Sequence, residues 1–165
     1  MIVYLVGMPG SGKSTVGREL AGRLGVPFVD LDAEIEREAG RGVTEIFEAE
    51  GEAGFRAREA RALLEAGRHD PSVVACGGGV VLEPANRITL RNTGICVFLD
   101  VPLEILRRRV EPSAARPLIR REGDLEQLLA AREPLYREFA AHVVDGSGSP
   151  GQVAEAIIEE LRWSA

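Results

Sequence analysis

The sequence contains little lysine and cysteine and no long apolar run. Lysine occurs once in 165 residues, and no apolar stretch approaches the roughly 18 residues that a membrane-spanning helix needs. The two cysteines, Cys76 and Cys96, lie in apolar strand-like runs without metal-ligand spacing, so we expect buried, reduced thiols. The chain enters a strand pattern at once, without a basic leader. These features predict a cytoplasmic protein with no membrane partner.

Positive charge is also in deficit. The chain carries 20 Lys+Arg against 26 Asp+Glu, which gives a net charge of −6. Nucleic-acid binding depends on neutralising phosphates with cationic side chains, so this balance excludes a nucleic-acid partner. We therefore expect small molecules as partners.

Short apolar runs alternate with helical patterns along the whole chain. Five runs read as buried strands, at 2–6, 27–31, 73–76, 95–100 and 142–145. Alternation of this kind is typical of an α/β domain with a parallel sheet and crossover helices. The length fits one domain, residues 1–165. Gly51 and Gly54 interrupt one helical region, so we predict a break there.

The only lysine lies in a glycine-rich segment directly after the first strand. Residues 7–14 read Gly-Met-Pro-Gly-Ser-Gly-Lys-Ser, which is a complete phosphate-binding loop between a strand and a helix. Glycines let the backbone approach phosphates closely, and the ammonium of Lys13 reaches between them more easily than a planar guanidinium. The predicted nucleotide-binding residues are Gly10, Ser11, Gly12, Lys13, Ser14 and Thr15.

Two carboxylates follow the second predicted strand. Asp30 and Asp32 flank Leu31, and strand alternation would turn both toward the same side. We predict that one helps Ser14 to hold Mg²⁺ and that the other accepts the proton of an acceptor hydroxyl. Alternatively, they end the strand and cap the next helix.

Arginines and a glycine triplet provide candidate contacts for an acidic acceptor. Arg56 and Glu59 share one helix face, although a solvated Arg56 is the alternative. The glycines 77–79 follow the third strand and favour close backbone approach to a ligand, with a plain turn as the alternative. Arg132 becomes suggestive when paired with Arg56, and Pro134 predicts a kink or a new helix start after it.

The segment 111–123 has neither helical nor strand periodicity and lies among six arginines. A mobile cationic segment near a phosphate loop predicts a lid that brings an arginine to the transferred phosphoryl group. We assign this role to Arg116, which precedes Pro117.

Together these motifs resemble the shikimate kinase family. The resemblance runs from Leu5 to about Ala140 and is carried by the loop at 7–18, Phe28-x-Asp30-x-Asp32, the stretch 46–52, Phe55-Arg56-x-x-Glu59, the triple glycine, Arg116-Pro117-Leu118 and Arg132-x-Pro134-x-Tyr136. It implies a three-layer P-loop kinase fold with a lid and a five-stranded parallel sheet of order 2-3-1-4-5 flanked by helices. It also implies transfer of the γ-phosphate of ATP to the 3-hydroxyl of shikimate, with Mg²⁺, in aromatic amino acid biosynthesis.

The resemblance assigns roles on the nucleotide side. Lys13 and Ser14 would bind phosphate and Mg²⁺, and Asp30 would support the water shell of the metal. Arg116 would reach the phosphates from the lid, residues 111–123.

On the acceptor side, the resemblance assigns Asp32 to the hydroxyls of shikimate and to the base role. Arg56 and Arg132 would clamp the carboxylate, and Gly78 would bind substrate through its backbone. Residues 33–60 would form a substrate-binding subdomain, and we expect a monomer.

The sequence departs from the family near the last helix. An arginine that often contacts adenine is missing from Gly-Ser-Gly-Ser at 146–149, which leaves Arg109 as a candidate that nothing local distinguishes from Arg108. A gluconate-type kinase, a nucleoside monophosphate kinase and a non-catalytic nucleotide-binding module are the competing interpretations. The last would be expected to lose the base or metal side chains, yet Ser14, Asp30 and Asp32 are all present.

Overall fold

A computed structural model describes residues 1–113 and 116–163 of the chain. Five strands form one parallel sheet with the order β2-β3-β1-β4-β5, which confirms the predicted fold. The strands are β1 Ile2–Val6, β2 Phe28–Asp30, β3 Ser72–Ala75, β4 Gly94–Asp100 and β5 His142–Asp145. Seven helices are described, α1 Lys13–Leu24, α2 Leu31–Ala39, α3 Val43–Ala66, α4 Pro84–Thr93, α5 Leu103–Arg109, α6 Asp124–Phe139 and α7 Pro150–Trp163, with a short 3₁₀ turn at Val80–Leu82.

Strand β1 is buried on both faces because helices cover both sides of the sheet. Val3 and Leu5 pack into one apolar cluster with residues of α1 and α7. Ile2, Tyr4 and Val6 alternate with them and pack into a larger cluster on the opposite face. The near-continuous apolar sequence of this strand follows from that double coverage.

The predicted break in the third helical region is confirmed at Gly51. This residue has φ 71° and ψ −179° inside α3, a left-handed backbone conformation that glycine adopts without strain. A Cβ placed there would meet no atom within 4 Å, so conformation and not space requires glycine. Gly54 continues the helix, so the break is confined to one residue.

Strand β2 is shorter than predicted, and the argument from strand alternation for Asp30 and Asp32 is wrong. The strand ends at Asp30, whose Oδ1 accepts a hydrogen bond from the backbone N of Ala33 at 3.3 Å and caps α2. Asp32 therefore lies in the first turn of a helix. The capping interaction lets the chain leave the sheet one residue earlier than the apolar pattern indicates.

No new helix starts at Pro134, because α6 runs through it from Asp124 to Phe139. A proline inside a helix costs about 3 kcal/mol through its missing N–H and its steric clash. Arg132, Tyr136 and Phe139 are buried on the same helix, and we attribute its continuity to this packing. Helix α7 is capped at its start, since the Oγ of Ser149 accepts a hydrogen bond from the backbone N of Gln152 at 3.2 Å.

None of the helices among the described residues combines the length and apolar character needed to cross a membrane.

Candidate active site

The phosphate loop joins β1 to α1 at the carboxyl edge of the sheet. Gly10 has φ 81°, and a Cβ there would lie 2.3 Å from Cγ2 of Val110, so both the backbone conformation and the space require glycine. Gly12, with φ 92°, precedes the first residue of α1. Ser11 is buried, and Thr15 in the first turn of α1 lines the cavities on either side of the loop. The predicted nucleotide-binding residues are therefore contiguous in space as well as in sequence.

Lys13 lies over this loop. Its Nζ donates hydrogen bonds to the carbonyl oxygens of Gly7 at 2.8 Å and Met8 at 2.9 Å. Burial lowers the pKa of Lys13 to about 8, against the opposing attraction of Asp32. An anion placed in the loop would restore the charged form of this ammonium.

Ser14 and Asp30 place two oxygen ligands side by side. The Oγ of Ser14 donates to Oδ2 of Asp30 at 2.6 Å, while Oδ1 of the same carboxylate caps α2. Asp30 therefore ends the strand and caps the next helix, which was the alternative in the sequence, and it also accepts a hydrogen bond from the phosphate loop. Mg²⁺ takes one or two such protein oxygens and completes its shell with phosphate and water, so this pair fits the ion.

Asp32 lies where two cavities meet. It lines one cavity with Lys13 and Ser14 and another with Arg56 and Arg132. Its Oδ1 is buried and makes no hydrogen bond within the described part of the chain. Burial raises the pKa of Asp32, and the positive charge of Lys13 works in the opposite direction.

The cavity on the side of Arg56, which we call the acceptor pocket, has a volume of about 250 Å³. One part of its wall is apolar and includes Val43, Phe47, Phe55, Leu118 and Ile119. The rest is polar and includes Asp32, Arg56, Glu59, Arg116 and Arg132. A pocket of this composition suits a small molecule with an apolar ring, a negative charge and hydroxyl groups.

The triple glycine brings the two arginines together. A Cβ on Gly79 would lie 2.3 Å from Nη1 of Arg56, and a Cβ on Gly78 would lie 3.0 Å from Nη1 of Arg132. The glycines therefore make room for side chains of the pocket itself. Close approach of a ligand to their backbone stays a prediction. A turn with larger side chains at these positions would clash with Arg56 and Arg132, so the triplet is more than a flexible connection.

Glu59 is a residue of the pocket to which the sequence analysis gave no role. Its side chain is fully buried, and Oε1 accepts a hydrogen bond from Nη1 of Arg56 at 3.0 Å. Burial raises the pKa of Glu59, with Arg56 opposing the shift. The three-residue spacing between the two indicated a shared helix face but not its burial.

Arginines also line the nucleotide side. Arg116 lines both the acceptor pocket and the cavity around Lys13, and the rest of its segment has no helix or strand in the described ranges 111–113 and 116–123. Ala114 and Ala115 of the predicted lid lie outside the described residues. Nη1 of Arg109 donates to the carbonyl oxygen of Gly10 at 3.2 Å.

A third cavity, of about 300 Å³, lies on the other side of the phosphate loop. Its wall includes Arg109, Gly146, Gly148 and Pro150. The fold thus separates Arg109 from its neighbour Arg108, which the sequence could not do.

Comparison with known proteins gives a consistent result. The family model for shikimate kinase matches residues 9–162. The chain is 50% identical over 165 residues to a shikimate kinase of Aromatoleum aromaticum, covering 95% of this chain and 94% of that protein. It is 48% identical to one of Halorhodospira halophila, covering 97% and 93%.

The structure agrees equally well with a solved shikimate kinase. The enzyme of Acinetobacter baumannii, in complex with shikimate, superposes with a TM-score of 0.94 at 41% identity, covering 99% of this chain and 93% of that one. The chain belongs to the shikimate kinase family.

Proposed function

We propose that this shikimate kinase transfers the γ-phosphoryl group of ATP to the 3-hydroxyl of shikimate by means of the residues described above, giving shikimate 3-phosphate and ADP. The position of Asp32 carries the proposal. It lies between the phosphate loop and the acceptor pocket, so an acceptor hydroxyl beside it would face the end of the nucleotide phosphates. Phosphoryl transfer needs positioning and charge stabilisation more than covalent chemistry, and this site is built for both.

On the donor side, residues 10–15 hold the phosphates of the co-substrate ATP. The backbone N–H groups of the loop and the start of α1 face the anion, and the ammonium of Lys13 leaves its loop carbonyls to bind phosphate. Ser14 and Asp30 would hold Mg²⁺, with Asp30 acting directly or through water. When bound, Mg²⁺ neutralises charge that develops on the phosphate oxygens.

On the acceptor side, Arg56 and Arg132 bind the carboxylate of shikimate, and Gly78 contributes its backbone. Asp32 accepts the proton of the hydroxyl that attacks the phosphorus atom. The raised pKa of Asp32 makes it a stronger base than an exposed aspartate, and its unpartnered Oδ1 is free to receive a hydroxyl. Residues 33–60, which include most of α2 and the first part of α3, act as the substrate-binding subdomain.

Residues 111–123 act as the lid, and its Arg116 contacts the transferred phosphoryl group. Arg109 and Pro150 take the adenine ring between them in the third cavity, in place of the arginine missing from 146–149. We also propose a cytoplasmic monomer. Its dependence on ATP supports the location, and the exposed large apolar side chains in the described part of the chain are scattered singly over several elements.

One assay tests the function directly. Purified protein is given ATP and Mg²⁺ with shikimate, quinate, gluconate or AMP, and ADP release is measured with and without a chelator. We expect turnover with shikimate only, and loss of that turnover when the metal is removed. Turnover with gluconate or AMP at a comparable rate would contradict the assignment. Light scattering on the same sample should give a mass near 17.8 kDa for a monomer.

A further inference from the structure

Tyr136 ties α6 to the glycine triplet. Its side chain is fully buried, and its hydroxyl donates a hydrogen bond to the carbonyl oxygen of Gly78. The ring stacks on Phe98 of β4 with centroids 5.1 Å apart and an interplanar angle of 26°. Burial raises the pKa of Tyr136 to about 12, so the hydroxyl stays protonated and able to donate at any ordinary working pH.

Gly78 lies at the contact between the acceptor pocket and the phosphate loop. A Cβ placed on it would be 3.0 Å from Nη1 of Arg132, 3.2 Å from Cδ of Pro9 and 3.5 Å from the carbonyl oxygen of Gly7. Gly78 also lines both the acceptor pocket and the cavity around Lys13. Any movement of this peptide would therefore change the distance between the two halves of the site.

Tyr136 acts on Arg132 as well. The two residues are four apart on α6 and so lie one above the other on the same helix face. They also interact electrostatically, since each affects the pKa of the other. The hydroxyl of Tyr136 thus fixes the position of α6, which carries Arg132, relative to the glycine triplet. Arg132 itself lies against Gly78 of this triplet.

We propose that Tyr136 is a positioning residue for the reaction: its hydroxyl holds the Gly78 peptide and the Arg132 guanidinium in the spacing that aligns shikimate with the phosphate loop. This rests on the proposed function and extends it to a residue that lines none of the three cavities. Reaction rates depend steeply on such spacing, because an error of about 1 Å in alignment can cost 10²-fold.

The chain provides a matched control. It has only two tyrosines, and the other, Tyr4, is also fully buried and hydrogen-bonded, with its hydroxyl 2.7 Å from Oγ1 of Thr93. Tyr4 does not line the acceptor pocket. Tyr136→Phe and Tyr4→Phe therefore remove the same atom from comparable surroundings, but only the first removes the contact with Gly78.

The experiment measures kcat, KM for each substrate, and melting temperature for both variants. We expect Tyr136→Phe to raise the KM for shikimate about 10-fold, because the part-buried carbonyl of Gly78 loses its hydrogen-bond partner and the loop shifts. The KM for ATP should change less than twofold, and Tyr4→Phe should leave both constants at wild-type values. In the Arg132→Ala background, the effect of Tyr136→Phe on shikimate KM should be smaller than in wild type.

A shikimate KM within twofold of wild type in Tyr136→Phe, with a melting temperature lowered as in Tyr4→Phe, would overturn the proposal and leave Tyr136 a purely structural residue. An equal rise in the KM for ATP would also overturn it. Calorimetric titration with shikimate makes the same comparison without turnover. If the wild-type protein binds shikimate but does not phosphorylate it, the proposed function is wrong, and this outcome is distinct from a failure of the role proposed for Tyr136.

Discussion

At the scale of single residues, Asp32 is a carboxylate in surroundings that disfavour its charge. Its Oδ1 is buried without a hydrogen-bond partner in the described chain, and burial raises its pKa above the ordinary 3.8. The same surroundings that make it a better base make the folded protein less stable when it is ionised.

Replacing Asp32 separates these two effects. We expect Asp32→Asn to lower kcat by about 10²-fold or more, because an amide cannot accept the proton. Since the folded-state pKa is raised, wild-type stability falls as pH rises through that pKa, and Asn removes this loss. The variant should therefore melt at or above the wild-type temperature at pH 7, with the difference disappearing below pH 3.8.

Glu34→Gln on the same helix is the control for that experiment, because Glu34 is half-exposed and pairs only with Arg37 in the described residues. It should leave kcat unchanged. Turnover of Asp32→Asn within about threefold of wild type would remove Asp32 from the base role.

A second prediction at this scale concerns the binding of the shikimate carboxylate by Arg56 and Arg132. If both bind one carboxylate, each change to Ala should raise the KM for shikimate by roughly 10-fold and barely change the KM for ATP. The double variant should lose less than the sum of the two losses. Arg58→Ala serves as the control, since Arg58 pairs with Glu50 outside the pocket. Simple additivity would mean that the arginines do not share a ligand group.

Lys13 can be tested chemically because it is the only lysine. An amine-directed reagent has two targets, Lys13 and the α-amino group of Met1, which pairs with Asp70. The pKa of Lys13, lowered to about 8, leaves a larger unprotonated fraction at pH 8 than in an exposed lysine, and acylation of this amine should abolish activity. ATP with Mg²⁺ should protect it, whereas shikimate alone should protect it poorly. Peptide mass analysis distinguishes the two sites.

Equal protection of Lys13 by shikimate and by ATP, or full activity after its acylation, would contradict the assignment of residues 7–14 to nucleotide phosphates.

At the scale of elements, the proposed lid is a segment held at the end that adjoins α6. Asp124 at the start of α6 accepts hydrogen bonds from the backbone N of Arg120 at 3.0 Å and of Arg121 at 2.9 Å. Ile119 is buried and anchors the middle of the segment in the core. Arg116, in contrast, lines both cavities of the site, and it is the one arginine of the described part of this segment that does so.

We expect Arg116→Ala to lower kcat at least 10-fold and to change the KM for shikimate less than threefold, because its contact strengthens as charge moves onto the transferred phosphoryl group. Arg121→Ala is the matched control, with an exposed side chain in the same segment, and should behave as wild type. Steady-state kinetics with both substrates varied makes the comparison. Weaker shikimate binding with unchanged kcat would place Arg116 in the acceptor pocket.

At the scale of the whole molecule, the two cavities should respond to their ligands independently. A ligand at 100 times its Kd stabilises the folded state by about 2.7 kcal/mol, which for a domain of this size corresponds to a rise in melting temperature of roughly 5–11 °C. We expect such a rise with ATP and Mg²⁺ and with shikimate. The double variant of Arg56 and Arg132 should keep the rise in melting temperature with ATP and Mg²⁺ and lose most of the rise with shikimate. Loss of both together, measured by differential scanning fluorimetry, would contradict a division into donor and acceptor sides.

The sequence by itself determined the parts of this protein that depend on neighbours along the chain. The phosphate loop is eight consecutive residues, and its glycines and lysine specify the conformation and charge that phosphates require. The strand order followed from the resemblance, and the break at Gly51 from a local residue preference. Where local signals competed, the cap at Asp30 ended β2 earlier than predicted, and of the two alternatives at Pro134 the new helix start did not occur.

Only the tertiary structure decided which distant residues meet. Arg109 and Arg108 are equivalent in sequence, and packing against Gly10 distinguishes them. Glu59 becomes a buried partner of Arg56 only because α3 lies against the glycine triplet, and Tyr136 reaches Gly78 across 58 residues of chain. Such contacts leave no local trace, because their energy comes from burial and hydrogen bonding between elements that the fold brings together.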